Sequence, residues 1–159
     1  MGGGKRWLVA RFASVPLDGV EQGGLLAAVL LGGAAGSFVG PDSIDLPLTF
    51  EATREAGVSL GSGVVMAFGD HDDLADTVLR IAAFFRDESC GQCVPCRVGT
   101  VRQEELLIRL SDGTSSGDER PLFDDLAAVM GDASICGLGH TASSAVRSAL
   151  DLGLLEGNR

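Results

Sequence analysis

Apolar residues recur at helical spacing through the second half of the chain. The first such stretch has apolar residues on one face and begins at Asp72 or Asp73, either of which can cap a helix; the face comprises Leu74, Val78, Ile81, Ala82 and Phe85. Pro95 suits the first turn of a second helix, because its missing N–H is not needed there. This second helix is expected to continue through Val98, Val101, Leu106 and Leu110.

Two further helices follow a polar loop over residues 111–120. Pro121 opens a third helix, which places Leu122, Leu126 and Val129 on one face and ends at Gly131. Thr141 is predicted to cap a fourth helix that runs through Val146, Ala149 and Leu150. The pattern therefore predicts a four-helix unit over residues 71–159.

Short apolar runs separated by glycine and proline fill residues 1–70. Residues 7–13 and 64–68 have the length and composition of strands, and residues 46–50 resemble an edge strand because of Pro47. Residues 25–31 form a buried segment that periodicity alone leaves open between strand and helix. The predicted fold class is α+β, with a small strand-rich lobe ahead of the helical unit.

Charge and composition exclude several classes of function. The formal net charge is −10 without a cluster of Lys and Arg, which argues against nucleic-acid binding. Residues 23–41 lack charge, but their glycine pairs, Ser37 and Pro41 interrupt any membrane-spanning helix. Residues 1–6 carry neither a secretory signal nor a myristoylation pattern, so we expect a cytoplasmic protein, or one at the cytoplasmic face of a membrane-bound complex.

All four cysteines of the chain fit one metal-binding pattern. Cys90, Cys93 and Cys96 are separated by two residues each, and Cys136 follows at a distance. Two-residue gaps let successive thiolates point to a common centre while backbone N–H groups turn toward the sulfurs. Four thiolates in this arrangement are typical of a [4Fe–4S] cluster. The triplet lies between the first two predicted helices and Cys136 between the last two, so both links can reach one end of the unit.

Several residues are candidates to solvate the charge of such a cluster. Backbone N–H groups near Gly91, Gly137 and Gly139 can approach sulfur closely because no Cβ obstructs them. Arg97 and Arg102 follow Cys96 within two turns and can stabilise the added electron, although either can equally be a solvated residue on the helix face.

Other kinds of site could use some of these residues, and each fits less well. A zinc site with His140 as a ligand leaves one cysteine unused, and structural zinc sites usually consist of two spaced pairs. Disulfides are disfavoured when thiols stay reduced. A thioredoxin-like pair needs no Cys96. Residues 137–142 match a dinucleotide-binding fingerprint in letters, but no strand precedes them.

Residues 88–100 (ESCGQCVPCRVGT) and 134–139 (SICGLG) resemble the cluster signature of a known family. This is the family of NADH-binding, FMN-carrying subunits of respiratory complex I, with relatives in NAD-reducing hydrogenases and NAD-dependent formate dehydrogenases. Residues 30–36 (LLGGAAG) and 60–63 (LGSG) resemble its β-grasp segment of the soluble-ligand-binding type. The resemblance covers roughly residues 25–155.

The resemblance implies a function in electron transfer. It implies a shortened β-grasp segment over residues 1–70, a [4Fe–4S]-binding domain over 71–159, and ligation by Cys90, Cys93, Cys96 and Cys136. The family's large FMN- and NADH-binding domain has no counterpart here, so no FMN or NAD site is expected. The expected protein is not catalytic alone and passes electrons between flavin- or iron–sulfur-containing partner subunits. The alternative is a structural or adaptor subunit in which the cluster, or zinc, serves stability.

Overall fold

A computed structural model describes residues 8–10, 13–15, 25–115 and 117–155. The chain divides into two compact units, Met1–Asp72 and Asp73–Arg159. Strands occur only in the first unit among the described residues, and helices dominate the second. The mixture of strands and helices expected from the sequence is thus confirmed.

In the described part of the first unit, five short strands form two antiparallel sheets. Strands β1 (Leu8–Ala10) and β2 (Ala13–Val15) pair with each other, whereas residues 7, 11 and 12 of the predicted first strand, and residues 1–6, lie outside the described residues. The second sheet has the order β4-β3-β5, formed by Ser37–Val39, Leu26–Leu31 and Val65–Gly69. Residues 26–31 are therefore a central strand, which settles the ambiguity in the sequence.

One hydrophobic cluster of this sheet lies on one face of its central strand. Val29 and Leu31 point to the same face because side chains alternate along a strand, and Val39 is paired with Val29. Partly buried apolar residues cover them: Leu26, Ile44, Leu46, Leu48, Val58 and Val65.

The turn at Gly32 packs closely against the turn that contains Ser59, and this contact fixes the end of the central strand. Gly32 has φ +90°, and a Cβ there would lie 2.7 Å from the Ser59 carbonyl oxygen. Its N–H donates to the Val64 carbonyl at 2.8 Å. Only glycine satisfies both the backbone angle and the spacing. The glycine-rich stretch that follows the central strand is thus a packed turn, continued by the 3₁₀ turn Gly33–Ala35.

The prediction of an edge strand over residues 46–50 is wrong. Phe50 instead begins helix α1 (Phe50–Glu55), and Thr49 Oγ1 accepts a hydrogen bond from the Ala52 N–H at 3.2 Å. A threonine in extended conformation that satisfies a free N–H of the first turn is a typical helix cap. That local signal outweighs the strand propensity of Leu48 and Phe50.

The described residues of the second unit form five helices: α2 (Leu74–Asp87), α3 (Val94–Ser111), α4 (Arg120–Ala133), α5 (Gly137–Thr141) and α6 (Ser144–Asp151). Asp73 caps α2 by accepting from the Asp76 N–H at 2.9 Å, as predicted. The predicted cap at Thr141 is wrong, because Thr141 is the last residue of α5 and the final helix begins after Ser143. The predicted fourth helix corresponds to α6, and α5 lies on the predicted link before it. The four-helix bundle stays a prediction in its detail.

Helix α4 buries a different face from the one predicted. Phe123, Ala127 and Met130 are buried, whereas Leu122 and Val129 are about half exposed. The helix also continues past Gly131 to Ala133.

Helix α3 packs against α2 and α4, α6 packs against α2, and α5 contacts both α3 and α4. The contact of α5 with α3 positions the cysteines. None of the helices in the described ranges is both long and apolar enough to cross a membrane.

Candidate metal centre

The four cysteines lie at the starts of two helices and on the link before one of them. Cys90 lies on the link between α2 and α3, Cys93 is the residue that precedes α3, and Cys96 lies in its first turn. Cys136 immediately precedes α5. Cys90 and Cys136 are exposed, whereas Cys96 is 4% exposed. The chain therefore places one thiol in the protein interior and two at the surface.

Packing of α5 against α3 brings the distant cysteine segment to the triplet. A Cβ added to Gly139 would lie 3.1 Å from Cys96 Cβ, so the start of α5 contacts the first turn of α3 directly. The backbone N–H of Ile135 lies close enough to the Cys93 sulfur to lower the pKa of that thiol. Two of the triplet cysteines are thus in contact with the segment that carries Cys136, as the position of the two links predicts.

The Cys93 thiol lies in surroundings that favour its thiolate form. The backbone N–H of Ile135 lowers the pKa of Cys93 most, followed by the N–H of Cys96, and the Ser134 hydroxyl adds a smaller effect in the same direction. Partial desolvation opposes them. Because the thiolate is the form that binds metal, these donors favour a ligand role at this position.

The loop of the first cysteine is held by its neighbours. Gly91 has φ +75°, which favours glycine, and its carbonyl accepts a hydrogen bond from Arg97 Nη1 at 3.2 Å. Ser89 Oγ accepts from the Gly91 N–H at 3.4 Å and lies 3.4 Å from Cys96 Sγ. Arg97 therefore folds back over the cysteine loop, whereas Arg102 forms a surface ion pair with Glu105 at 2.7 Å.

The segment of the fourth cysteine is held by His140. Its Nε2 lies 2.8 Å from the Ser134 carbonyl oxygen, and since a carbonyl only accepts, Nε2 carries the proton. This bond closes the loop around Cys136. The structure gives His140 a partner within its own segment. Gly137 has open space around the position of a Cβ, unlike Gly139.

Two buried polar residues of α3 were not predicted from the sequence. Thr100 and Gln103 are fully buried on the same helix face as Cys96. Thr100 Oγ1 donates to the Cys96 carbonyl at 2.9 Å, and Gln103 Nε2 donates to the Ala142 carbonyl at 3.0 Å. Their spacing of four and seven residues from Cys96 is the only signal in the sequence. Gln103 fastens α3 to the junction of α5 and α6, whereas the bond of Thr100 lies within the cysteine-bearing part of α3.

The residues present fit a sulfur-ligated cluster by their chemistry. In the described part of the chain, no three His, Cys, Asp or Glu side chains converge closely enough to bind an ion as they stand. The fit rests on four thiols as soft donors, on the N–H groups directed at Cys93, and on the Ser134 hydroxyl. That hydroxyl oxygen is buried and has no hydrogen-bond partner among the described residues. Thiolates with such donors nearby are the usual surroundings of iron–sulfur clusters.

Comparison with known proteins identifies this part of the chain. Residues 76–152 match the iron-sulfur binding region of NADH-ubiquinone oxidoreductase-F. Over these residues, just under half of the chain, the sequence is similar to that family's iron–sulfur binding region. The matched iron–sulfur binding region includes all four cysteines and helices α3 to α5.

Relatives of this iron–sulfur binding region occur in two kinds of oxidoreductase. The chain is 28% identical over 133 residues to the NADP-reducing hydrogenase subunit HndC of Solidesulfovibrio fructosivorans, covering 84% of this chain and 27% of that protein. It is 33% identical over 110 residues to an NADH-quinone oxidoreductase subunit of Aquifex aeolicus, covering 69% of this chain and 25% of that protein. The chain therefore spans about a quarter of the length of these relatives.

A solved structure shares the fold. The chain resembles a crystal structure of an NAD⁺-reducing [NiFe]-hydrogenase in the H₂-reduced state with a TM-score of 0.71 and 30% identity. The match covers 84% of this chain and 23% of the hydrogenase chain. The family resemblance seen in the cysteine motifs is thus confirmed by sequence and by fold.

Proposed function

We propose that this chain binds one [4Fe–4S] cluster through Cys90, Cys93, Cys96 and Cys136 and serves as an electron-transfer component of a larger oxidoreductase. The observation that carries the proposal is the contact of Cys93 and Cys96 with the segment that bears Cys136. The relatives support it, because they are subunits of an NADH-quinone oxidoreductase and an NADP-reducing hydrogenase.

The residues around the thiols have a defined part in this proposal. When bound, such a cluster takes up and releases one electron at a time. The N–H groups of Ile135 and Cys96 favour the thiolate form of Cys93, and Arg97 holds the loop after Cys90 through the Gly91 carbonyl. Gln103 and Thr100 keep the first turn of α3 in place. The chain's own work is to hold four sulfurs rigidly and to supply donors for their negative charge.

The partners and the compartment follow from the same proposal. Electrons arrive from and leave to cofactors, so the chain works beside subunits that carry flavin or further iron–sulfur groups. Free thiols that bind iron require a reducing compartment, which is met in the cytoplasm. Copurification from the native host, with identification of the bound proteins, tests this: oxidoreductase subunits are expected.

A redox titration separates electron transfer from a structural role. The chain is purified under anaerobic conditions, and the EPR signal of the cluster is followed as the potential is lowered and raised again. Reversible reduction within the range of biological iron–sulfur clusters is expected. A bound cluster that no biological reductant can reduce would instead indicate that the site serves the stability of the fold.

A further inference from the structure

The Ser89 hydroxyl lies within hydrogen-bonding distance of a cysteine sulfur. Its oxygen accepts the Gly91 N–H at 3.4 Å, so its own proton is free for another partner. Cys96 Sγ lies 3.4 Å from that oxygen. A thiolate only accepts hydrogen bonds, so with Cys96 as a metal ligand the serine must be the donor.

The Ser134 hydroxyl lies near another cysteine, Cys93. Ser134 is 8% exposed, and its Oγ is buried beside the Cys93 sulfur without another hydrogen-bond partner among the described residues. A buried hydroxyl without a partner costs free energy. A negatively charged sulfur next to it would supply the missing acceptor.

Neighbouring residues keep Ser134 in this place. His140 Nε2 donates to the Ser134 carbonyl at 2.8 Å and so fixes the backbone. A Cβ on Gly139 would overlap the Ser134 side chain, so the glycine leaves the space that the serine occupies. The side chain is thus confined between Gly139 and Cys93.

We propose that Ser89 and Ser134 are positioning residues that donate O–H···S hydrogen bonds to Cys96 and Cys93 and thereby raise the reduction potential of the cluster. This inference rests on the proposed function. Reduction adds one negative charge to the cluster and its sulfurs, and hydrogen-bond donors stabilise the more negative state. Each hydroxyl therefore makes the cluster easier to reduce.

The test measures potentials of serine variants of the full chain. Ser89→Ala, Ser134→Ala and the double variant are loaded anaerobically, iron and sulfide are counted, and the midpoint potential is determined by EPR titration. Each single change is expected to lower the equilibrium constant for reduction by up to about tenfold, which is about 59 mV for one electron. The double variant should shift further. Ser111→Ala, an exposed serine at the far end of α3, is the control and should keep the wild-type potential.

The outcomes distinguish this inference from the proposed function. Wild-type protein that binds no cluster overturns the proposed function itself. Fully loaded serine variants with the wild-type potential overturn the inference alone. If Ser89→Ala loses the cluster, Ser89→Thr and Ser89→Val are compared, because they have the same shape and differ in the hydroxyl. A wild-type potential in the threonine variant and a lower one in the valine variant support the inference, whereas equal potentials, or loss of the cluster in both, contradict it.

Discussion

Gly139 lies against Cys96, with 3.1 Å between the position of a Cβ on the glycine and Cys96 Cβ. The same Cβ would overlap the side chain of Ser134. A single glycine therefore allows the start of α5 to meet the first turn of α3, and through that contact the two cysteine segments meet.

Replacing this glycine should disrupt the metal centre. Gly139→Ala is expected to destabilise the chain by about 1–3 kcal/mol, because the backbone must move to relieve the overlap, and to reduce the iron bound per chain. Gly131→Ala is the control, since a Cβ at 131 meets nothing within 4 Å and Gly131 lies on α4, outside the cysteine segments. Denaturant unfolding and iron analysis of both variants provide the check. Equal iron content in the two would show that the contact does not position the cysteines.

A second glycine sets the distance between α3 and α4. A Cβ on Gly99 would lie 2.6 Å from Met130 Sδ and overlap the Met130 Cγ. We expect Gly99→Ala to cost about 1–3 kcal/mol from overpacking, which exceeds the roughly 1 kcal/mol that alanine gains in a helix. Gly131→Ala on α4, where a Cβ meets nothing, should be neutral or stabilising. Urea unfolding compares them, and equal stability would mean that Met130 moves aside freely.

The ion pair of Arg109 and Glu119 should make stability depend on pH. Two hydrogen bonds of 3.0 Å join the side chains across the loop between α3 and α4, and they lower the pKa of Glu119 from its ordinary 4.5. The folded state therefore binds this proton at lower pH than the unfolded state. The stabilisation is complete above pH 4.5 and is lost as the pH falls through the folded-state pKa.

Glu119→Gln tests this dependence. The variant should be less stable than the wild type at neutral pH and should lose less stability on acidification, as measured by urea unfolding at several pH values. Asp132→Asn, an exposed carboxylate near the end of α4, is the control. Parallel pH profiles for the wild type and Glu119→Gln would refute the assignment.

The cysteine motif could be predicted from sequence because its spacing is local and specific. The helix caps were harder to predict. Asp73 was one of two adjacent candidates for the start of α2, and the structure shows that it caps the helix. The prediction of a cap at Thr141 was wrong because α5 forms directly after Cys136. The five residues of α5 have no apolar repeat that would predict a separate helix.

The buried faces of α3 and α4 depend on tertiary packing. On α4, Leu122, Leu126 and Val129 have the same spacing as Phe123, Ala127 and Met130, shifted by one residue, so periodicity fits both faces. The structure buries the second set, where Met130 meets Gly99. On α3, polar Thr100 and Gln103 are buried because carbonyl partners are available, and no pattern of apolar residues reports that.

EPR spectroscopy of the reduced chain, with iron and sulfide analysis, tests the central claim most directly. Anaerobically loaded wild-type protein should contain about four iron and four sulfide per chain and show a low-temperature signal of one reduced [4Fe–4S] cluster. Cys96→Ser should lose most of that iron and the signal, because the buried thiol lies where the two cysteine segments meet. A wild-type chain without a cubane signal, or a Cys96→Ser chain that keeps a full cluster, would contradict the account.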